Sequence, residues 1–484
     1  MFGWKGQILR VNLTKGVITK EALDPVKAKE FLGARGLGTY LYMKEVSPEA
    51  EALSDENNMI FVTGPLTGTM ATSSDHYNVV TKGSLTGTIT ASNSGGDFGP
   101  ELKFAGYDGI IFEGTAPKPV YLWINDSEVE LRSAEHLWGK NVPATTDALK
   151  AETDKEAKIA CIGPAGENLV KLAVIVNDYN RAARRTGVGA VMGFKRLKAV
   201  VVRGTSGIQI ARPEEFWKTN KYVEQKLAAH PVTGQGLCTY STNVLVNILN
   251  QSGAFPAQKF RDSGKFDSLE KVCSGDNDLE PIIKANYYCN ELGMDPISVA
   301  ATIACAMELY ENGYLSKKIA GYDLDFGNPE AMVELTRKTA YREGFGDLLA
   351  EGSYLLASKF SHPELSMSVK KQEIPAYDPR GIQGIGLEYA ASNRGRCHVQ
   401  GYMISPEILS FPEKIDPNVT KEKAQRLKIF QDLTASVDSA GLCLFTTFAI
   451  GAEEIAAQLS TATGVNYTAE AVMKVGERIL NLER

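Results

Sequence analysis

The chain changes texture near residue 206, and that change limits its possible folds more than any other feature. Before it, Gln7-Ile-Leu-Arg-Val-Asn-Leu-Thr14 alternates in polarity, turns at Lys15-Gly16 and resumes at Val17, the pattern of a β-hairpin. Short runs starting at Met59, Tyr77, Gly109, Val120 and Lys198 are rich in β-branched and aromatic residues and read as further strands. Only residues 25–32 and 143–153 have helical spacing there. After residue 206 the period becomes helical, over 213–229, 278–292, 297–312, 329–344, 345–360, 421–436, 452–459 and 469–482. These patterns predict an α+β chain without internal sequence repeats. A β-rich base of two sheets spans 1–206, and helical regions follow at 207–370 and 371–484.

A length of 484 residues exceeds one ordinary core, consistent with two to four domains. Apolar residues at 43% and charged residues at 23% describe a globular protein, and a net charge of -6 gives no reason to expect nucleic acid as a partner. The first ten residues lack the apolar core of a signal peptide, and no stretch approaches the roughly 20 apolar residues of a membrane span, so the expected location is the cytoplasm. The seven cysteines are scattered, and none falls in a Cys-x-x-Cys pair. That pattern argues against a disulfide framework and against a locally encoded zinc or iron–sulfur site.

Chemistry-bearing residues gather in loops. Three glycine-rich connections, Thr63-Gly-Pro-Leu-Thr-Gly68, Asn93-Ser-Gly-Gly-Asp-Phe-Gly-Pro100 and Arg181-Ala-Ala-Arg-Arg-Thr-Gly-Val-Gly189, offer backbone N–H groups, and the last adds three arginines. Such loops form anion nests, and arginine grips phosphate in a bidentate manner. None has Walker or dinucleotide spacing. A fourth stretch, Asn393-Arg-Gly-Arg-Cys-His-Val-Gln-Gly-Tyr-Met403, holds His398, one of five histidines, where it can carry a proton near neutral pH. Two short elements match each other: Asn290-Glu-Leu-Gly-Met-Asp295 and Asp438-Ser-Ala-Gly-Leu-Cys443 each place glycine after a helical run, as at a helix C-cap.

These motifs, with Leu9-Arg-Val-Asn-Leu-Thr14, Phe31-Leu-Gly-Ala-Arg-Gly-Leu-Gly38 and the run from Pro375 to Tyr402, resemble the tungsten- or molybdenum-dependent aldehyde ferredoxin oxidoreductases nearly end to end. The resemblance implies a β-rich base carrying a metal with two pyranopterin dithiolenes, closed over by two helical domains, and Mg²⁺ bridging the pterin phosphates. It implies cofactor contacts at His76, Asn93, Gly95, Arg181, Ala182, Ala183, Asn290, Asp295, Asp438, Leu442 and Cys443. It makes His398 the proton-transfer residue and Cys443 a thiolate ligand of a [4Fe–4S] cluster. The implied reaction oxidises an aldehyde to a carboxylic acid and passes electrons to ferredoxin or an electron-transfer subunit, with a homodimer as one implied assembly. Because the dithiolenes supply four soft sulfurs, the protein need donate no ligand to that metal.

The chain departs from the family pattern in places. Family members carry Cys-x-x-Cys-x-x-x-Cys before an acidic stretch. Here Phe266-Asp-Ser-Leu-Glu-Lys-Val-Cys273 runs directly into Ser-Gly-Asp-Asn-Asp-Leu-Glu280, as if roughly fifty residues were missing near 273. The end at Arg484 also falls short of the usual length. His76 stands where arginine is usual, Asn290 where aspartate is usual and Arg184 where glycine is usual. Of the ligand cysteines only Cys443 has a motif, with Cys273 as the other candidate, so no stable four-iron cluster is expected. The alternative functions are a cofactor-poor, inactive member or subunit, and a related reductase acting on another substrate such as benzoyl-CoA.

Overall fold

The computed structural model describes residues 1–257, 260, 262–264 and 279–484. Among them, the base holds two six-stranded sheets. The first comprises β1 (Gln7–Asn12), β2 (Val17–Ala22), β3 (Met59–Thr63), β4 (Tyr77–Lys82), β5 (Ile89–Ser94) and β6 (Gly109–Glu113), in the order β2-β1-β6-β3-β4-β5. The second comprises β7 (Val120–Asn125), β8 (Glu128–Ser133), β9 (Lys158–Cys161), β10 (Ile175–Asn177), β11 (Arg181–Ala183) and β12 (Leu197–Arg203), in the order β11-β10-β9-β12-β7-β8. Read from the other edge, the second order is the first with six added to every strand. In each sheet the opening hairpin is antiparallel, and its first strand pairs parallel with the last strand of the set. The base is thus a topological duplication. The sequence showed no repeat because strand order depends on burial pattern rather than on residue identity.

Alternation along the strands explains how both faces of each sheet are covered. Met59 and Phe61 of β3 point into the core between the sheets with Leu122, Ile124, Val200 and Val202. Ile60 and Val62 point outward, against the helix Ala34–Glu45 and the C-terminal helices through Leu37, Val437 and Ile479. On the second sheet Trp123, Ile159 and Val201 pack against Leu149 of the helix Val142–Glu152.

The predicted helices form at 213–229 and, within a few residues, at Glu280–Leu292, Pro296–Glu311, Pro329–Tyr341, Lys423–Ala440, Ala452–Thr463 and Ala469–Glu483. The reading of 345–360 as one helix is corrected. Two short helices, Gly346–Leu349 and Ser353–Lys359, are separated at Gly352, whose φ of 87° no right-handed helix accepts. The Asp278 cap and Cys273 lie outside the described residues. Cys289 and Cys305 are buried on separate helices.

Candidate active site

Each half of the base receives the end of one helix from the later part of the chain. In the first half, helix Lys423–Ala440 stops at Gly441, whose φ of 87° is left-handed. There Leu66 N–H donates to Ala440 O (3.0 Å), and Cys443 N–H donates to Ser73 O (2.9 Å). Gly64 makes this approach possible, because a Cβ on it would lie 2.2 Å from the Ala440 carbonyl carbon. In the second half, helix Glu280–Leu292 stops at Gly293, with φ of 77°. Val174 N–H donates to Gly293 O (3.0 Å), and Asp295 N–H donates to Leu172 O (2.9 Å). Gly163 plays the matching part, since a Cβ there would lie 2.4 Å from Leu292 O. Both glycines that follow the helical runs are helix caps, as their spacing predicted.

The first arm gathers six of the residues named from sequence. Asn93 Nδ2 donates to Asp438 Oδ1 (3.0 Å), and Leu442 is buried in the outer core. Gly95 faces Asp75 and His76 so closely that a Cβ would meet Asp75 Oδ2 at 2.9 Å and His76 Cε1 at 3.0 Å. His76 Nδ1 pairs with Asp75 Oδ1 (2.8 Å). Burial lowers the His76 pKa, but the bonds to Asp75 and to the Cys443 thiol outweigh it and raise it to about 10. Among the described residues no three His, Cys, Asp or Glu side chains gather as for a metal ion.

The second arm centres on a residue that the sequence did not single out. Arg185 is buried and donates from Nε to Asp295 Oδ2 (3.2 Å), from Nη2 to Ser298 Oγ (3.3 Å) and Glu373 O (2.7 Å), and from Nη1 to Arg396 O (3.1 Å). It therefore ties the base to the cap of helix Pro296–Glu311 and to the loop carrying His398. Asp295 is that cap, accepting from Ser298 N–H (3.1 Å). Burial would raise its carboxyl pKa, but Arg185 and Arg184 hold it below the usual range. Arg184 Nη2 lies 3.5 Å from Asn290 Oδ1. Arg181 is exposed on edge strand β11, and Ala183 is buried in the inter-sheet core and paired with Ile175 of β10. The triple-arginine run marked this loop in the sequence, but which arginine turns inward was not legible there.

Between the arms lies a cleft of about 540 Å³ lined by Asn93, Ala182, Arg184, Arg185, Asp295, Arg394 and His398, and on the far side by Leu245, Leu249 and Phe445. A depression of similar size around Ile283 and Tyr287 lies open to solvent and gathers no such polar set. His398 stacks at a tilt on Tyr377, with centroids 5.4 Å apart. Burial, then Arg185 and Arg394, pull its pKa down to about 3, so the imidazole is neutral. Arg394 donates to Cys397 Sγ at 2.9 and 3.2 Å. Behind the loop, burial pushes the Glu388 carboxyl up to about 8 while it accepts from Met403 N–H (3.2 Å).

Buried polar atoms of four cleft-lining residues lack any hydrogen-bond partner among the described residues: Asp295 Oδ1, Arg184 Nε, His398 Nδ1 and the Tyr402 hydroxyl, as do Nε and Nη1 of Arg396 in the adjoining loop. Buried polar groups are nearly always satisfied, so this mixture of donors and acceptors fits a polar ligand with hydrogen-bonding edges of both kinds. A pyranopterin offers such edges.

Fold and cleft together define a protein with a polar cleft set between two helix-docked arms of a duplicated β base. The family model described as aldehyde ferredoxin oxidoreductase, N-terminal domain, matches residues 8–204, and the one described as domains 2 and 3 matches residues 273–484. The chain belongs to the aldehyde ferredoxin oxidoreductase family. It is 48% identical to the tungsten-containing aldehyde ferredoxin oxidoreductase of Pyrococcus furiosus and 47% identical to that of Pyrococcus abyssi, with all of this chain and 88% of each relative covered. A solved structure, the active-site complex BamBC of benzoyl-coenzyme A reductase with 1,5-dienoyl-CoA, matches with a TM-score of 0.83 at 26% identity over all of this chain and 88% of that one.

Proposed function

We propose that the chain oxidises an aldehyde to a carboxylic acid at a tungsten bis-pyranopterin and passes the two electrons singly to ferredoxin. The overall balance is aldehyde plus water giving acid, two protons and two electrons. The observation that carries this reading is the set of unsatisfied donors and acceptors around one cleft that also holds His398. One pterin would be held by Asn93, Gly95, Asp438, Leu442 and Cys443, and the other by Ala182, Ala183, Asn290 and Asp295. Arg181 and His76 are further candidate contacts, and Mg²⁺ is a further candidate ion of the bound group. When bound, the group supplies the two-electron acceptor.

The chain's own residues do the rest. Arg185 fixes the Asp295 arm, the apolar wall of Leu245, Leu249 and Phe445 excludes water, and His398 moves the proton. A neutral imidazole beside two guanidinium groups accepts a proton only when matching negative charge arrives in the cleft, which ties proton uptake to the loaded site. Expression with tungstate should give about one tungsten per chain, and absence of metal would overturn the reading. His398→Ala should keep that metal yet cut turnover by about 10²-fold or more at saturating aldehyde, and equal turnover would remove His398 from the mechanism.

A second reading, a cofactor-poor binding subunit, has one observation in its favour. The match to the Pyrococcus furiosus relative spans 535 residues, whereas this chain supplies 484, so 51 aligned positions have no counterpart here. Iron and sulfide measured beside tungsten separate the two: tungsten without iron would indicate a loaded site with slow electron exit.

A further inference from the structure

Behind Asp438 lies a buried charge network that none of the roles above uses. Arg35, on the helix Ala34–Glu45, is fully buried. Its Nε and Nη2 edge donates to the two oxygens of Glu483 (2.8 and 2.7 Å), a carboxylate from the end of helix Ala469–Glu483. Its remaining nitrogen, Nη1, donates to Asp438 Oδ2 (3.3 Å). Glu483 Oε2 also accepts from Asn393 Nδ2 (3.1 Å), where the loop leading to His398 begins. Gly36 lets these elements meet, because a Cβ on it would lie 2.7 Å from Ile479 Cδ1 and 3.1 Å from Ser439 Oγ.

The geometry has a direction. A guanidinium is planar, and a carboxylate that takes one edge in a fork sets the plane and so aims the third nitrogen. Glu483 takes the edge, and Asp438 receives what is left. Asp438 has its other oxygen on Asn93, so each oxygen is oriented by one protein donor and keeps a second acceptor site for a ligand. A single carboxylate on the last helix therefore reaches Asp438 through Arg35 and the His398 loop through Asn393. We infer that Arg35 and Glu483 are a positioning pair that presets Asp438 and the start of the His398 loop for the cofactor. This rests on the reading in which Asp438 contacts the pterin. Without the guanidinium, a carboxyl buried this deeply favours its protonated form and becomes a donor where an acceptor is needed.

The test is a double-mutant cycle read on tungsten per chain after expression with tungstate and prolonged desalting. Glu483→Gln should lose at least fivefold more tungsten than the unmodified protein, but should lose no more when Asp438→Asn is already present. Equal loss in both backgrounds, or no loss, would show a plain structural tether and overturn the inference. Glu477→Gln on the same helix, which pairs with Lys428 at 3.1 Å, should leave tungsten unchanged. Where Glu483→Gln fails to fold, Arg35→Lys carries the same cycle, keeping the charge without the fork. Where Asp438→Asn alone retains too little metal, hydrogen exchange of the tungsten-free protein decides. Faster exchange at Gly441, Leu442 and Cys443 with the last helix unchanged supports the pair, and loosening of the whole helix overturns it. An unmodified protein that takes up no tungsten would instead bring down the functional reading, a result distinct from every outcome above.

Discussion

Asp438 and Asp295 occupy matching elements of the two arms, yet the protein holds them in opposite ways. Each element begins at the end of a helix stopped by a left-handed glycine, against a base sheet of the same strand order. Asp438 has a protein donor on each oxygen, Asn93 and Arg35, and burial raises its carboxyl pKa. Asp295 Oδ1 has no partner among the described residues, and two arginines hold its carboxyl below the usual range. The two aspartates stand on opposite sides of the capping glycine, Asp438 three residues before Gly441 and Asp295 two after Gly293, so the matching elements offer their carboxylates from different points and to different neighbours. The Asp295 arm is electrostatically primed with an open acceptor, whereas the Asp438 arm is prearranged by its own contacts.

The largest expected effect comes from removing the centre of the primed arm. Arg185→Ala leaves a fully buried Asp295 carboxylate without its partner and cuts ties to Ser298, Glu373 and Arg396. The loss is roughly 3–5 kcal/mol, the range for breaking one side of a buried ion pair. Denaturant unfolding of the variant checks this. A change below about 1 kcal/mol would mean that water satisfies Asp295 and the arm is not primed.

The second experiment asks whether the arms are equivalent in packing. Alanine at Gly64 would push a Cβ into the Ala440 carbonyl, and alanine at Gly163 into that of Leu292. Neither obstacle is a flexible side-chain tip, so each substitution should cost about 1–3 kcal/mol, the range for overpacking. Similar losses in stability support the structural duplication. A silent variant would show that one arm docks loosely.

Smaller effects separate the arms by sign. The Asp295 pKa is depressed, so its contribution to stability is present above the unfolded value near 3.8 and is lost as pH falls through the lower folded value. The Asp438 pKa is raised, so the folded state holds an extra proton between 3.8 and that higher value, and stability falls as pH rises through the window. Relative to the unmodified, tungsten-free protein, Asp295→Asn should be most destabilising at neutral pH. Asp438→Asn should gain relative stability as pH rises from about 3.8. Unfolding free energies from pH 3 to 7 read both slopes, and slopes of the same sign would erase the contrast.

How much of this could be read from the chain alone follows from the same contrast. Seven of the twelve base strands, most of the long later helices and both glycine caps are local patterns and were legible to within a few residues. Strands β5 and β8 to β11 and the helices Ala34–Glu45, Val244–Gln251 and Gln383–Ala391 were not. The matching Asx-x-x-Gly elements were visible because helix stops have a local signature. The duplication of the base was not, since β1 and β7 share their pairing but only Leu9 with Leu122 and Asn12 with Asn125 among their six aligned residues, too few to read as a repeat. Arg35, Arg185 and Glu483 were equally hidden. Their partners lie 448 positions away for Arg35 and Glu483, and 110 for Arg185 and Asp295, and no periodicity encodes such distances.

The smallest effect concerns Arg181, which the family resemblance places at a pterin while the fold leaves it exposed on edge strand β11. Its neighbour in the same loop, Arg185, is buried and spends all three nitrogens on protein acceptors. The two arginines therefore divide the labour of the loop between an outer and an inner position. Arg181→Ala should leave folding stability within about 0.5 kcal/mol, as expected for an exposed side chain. It should still lower the tungsten retained through long dialysis, because a phosphate or pterin edge would lose a charged donor worth roughly 1–3 kcal/mol. Unchanged tungsten with unchanged stability would make Arg181 a surface residue and leave the grip of this arm to Arg184, Asn290 and Asp295.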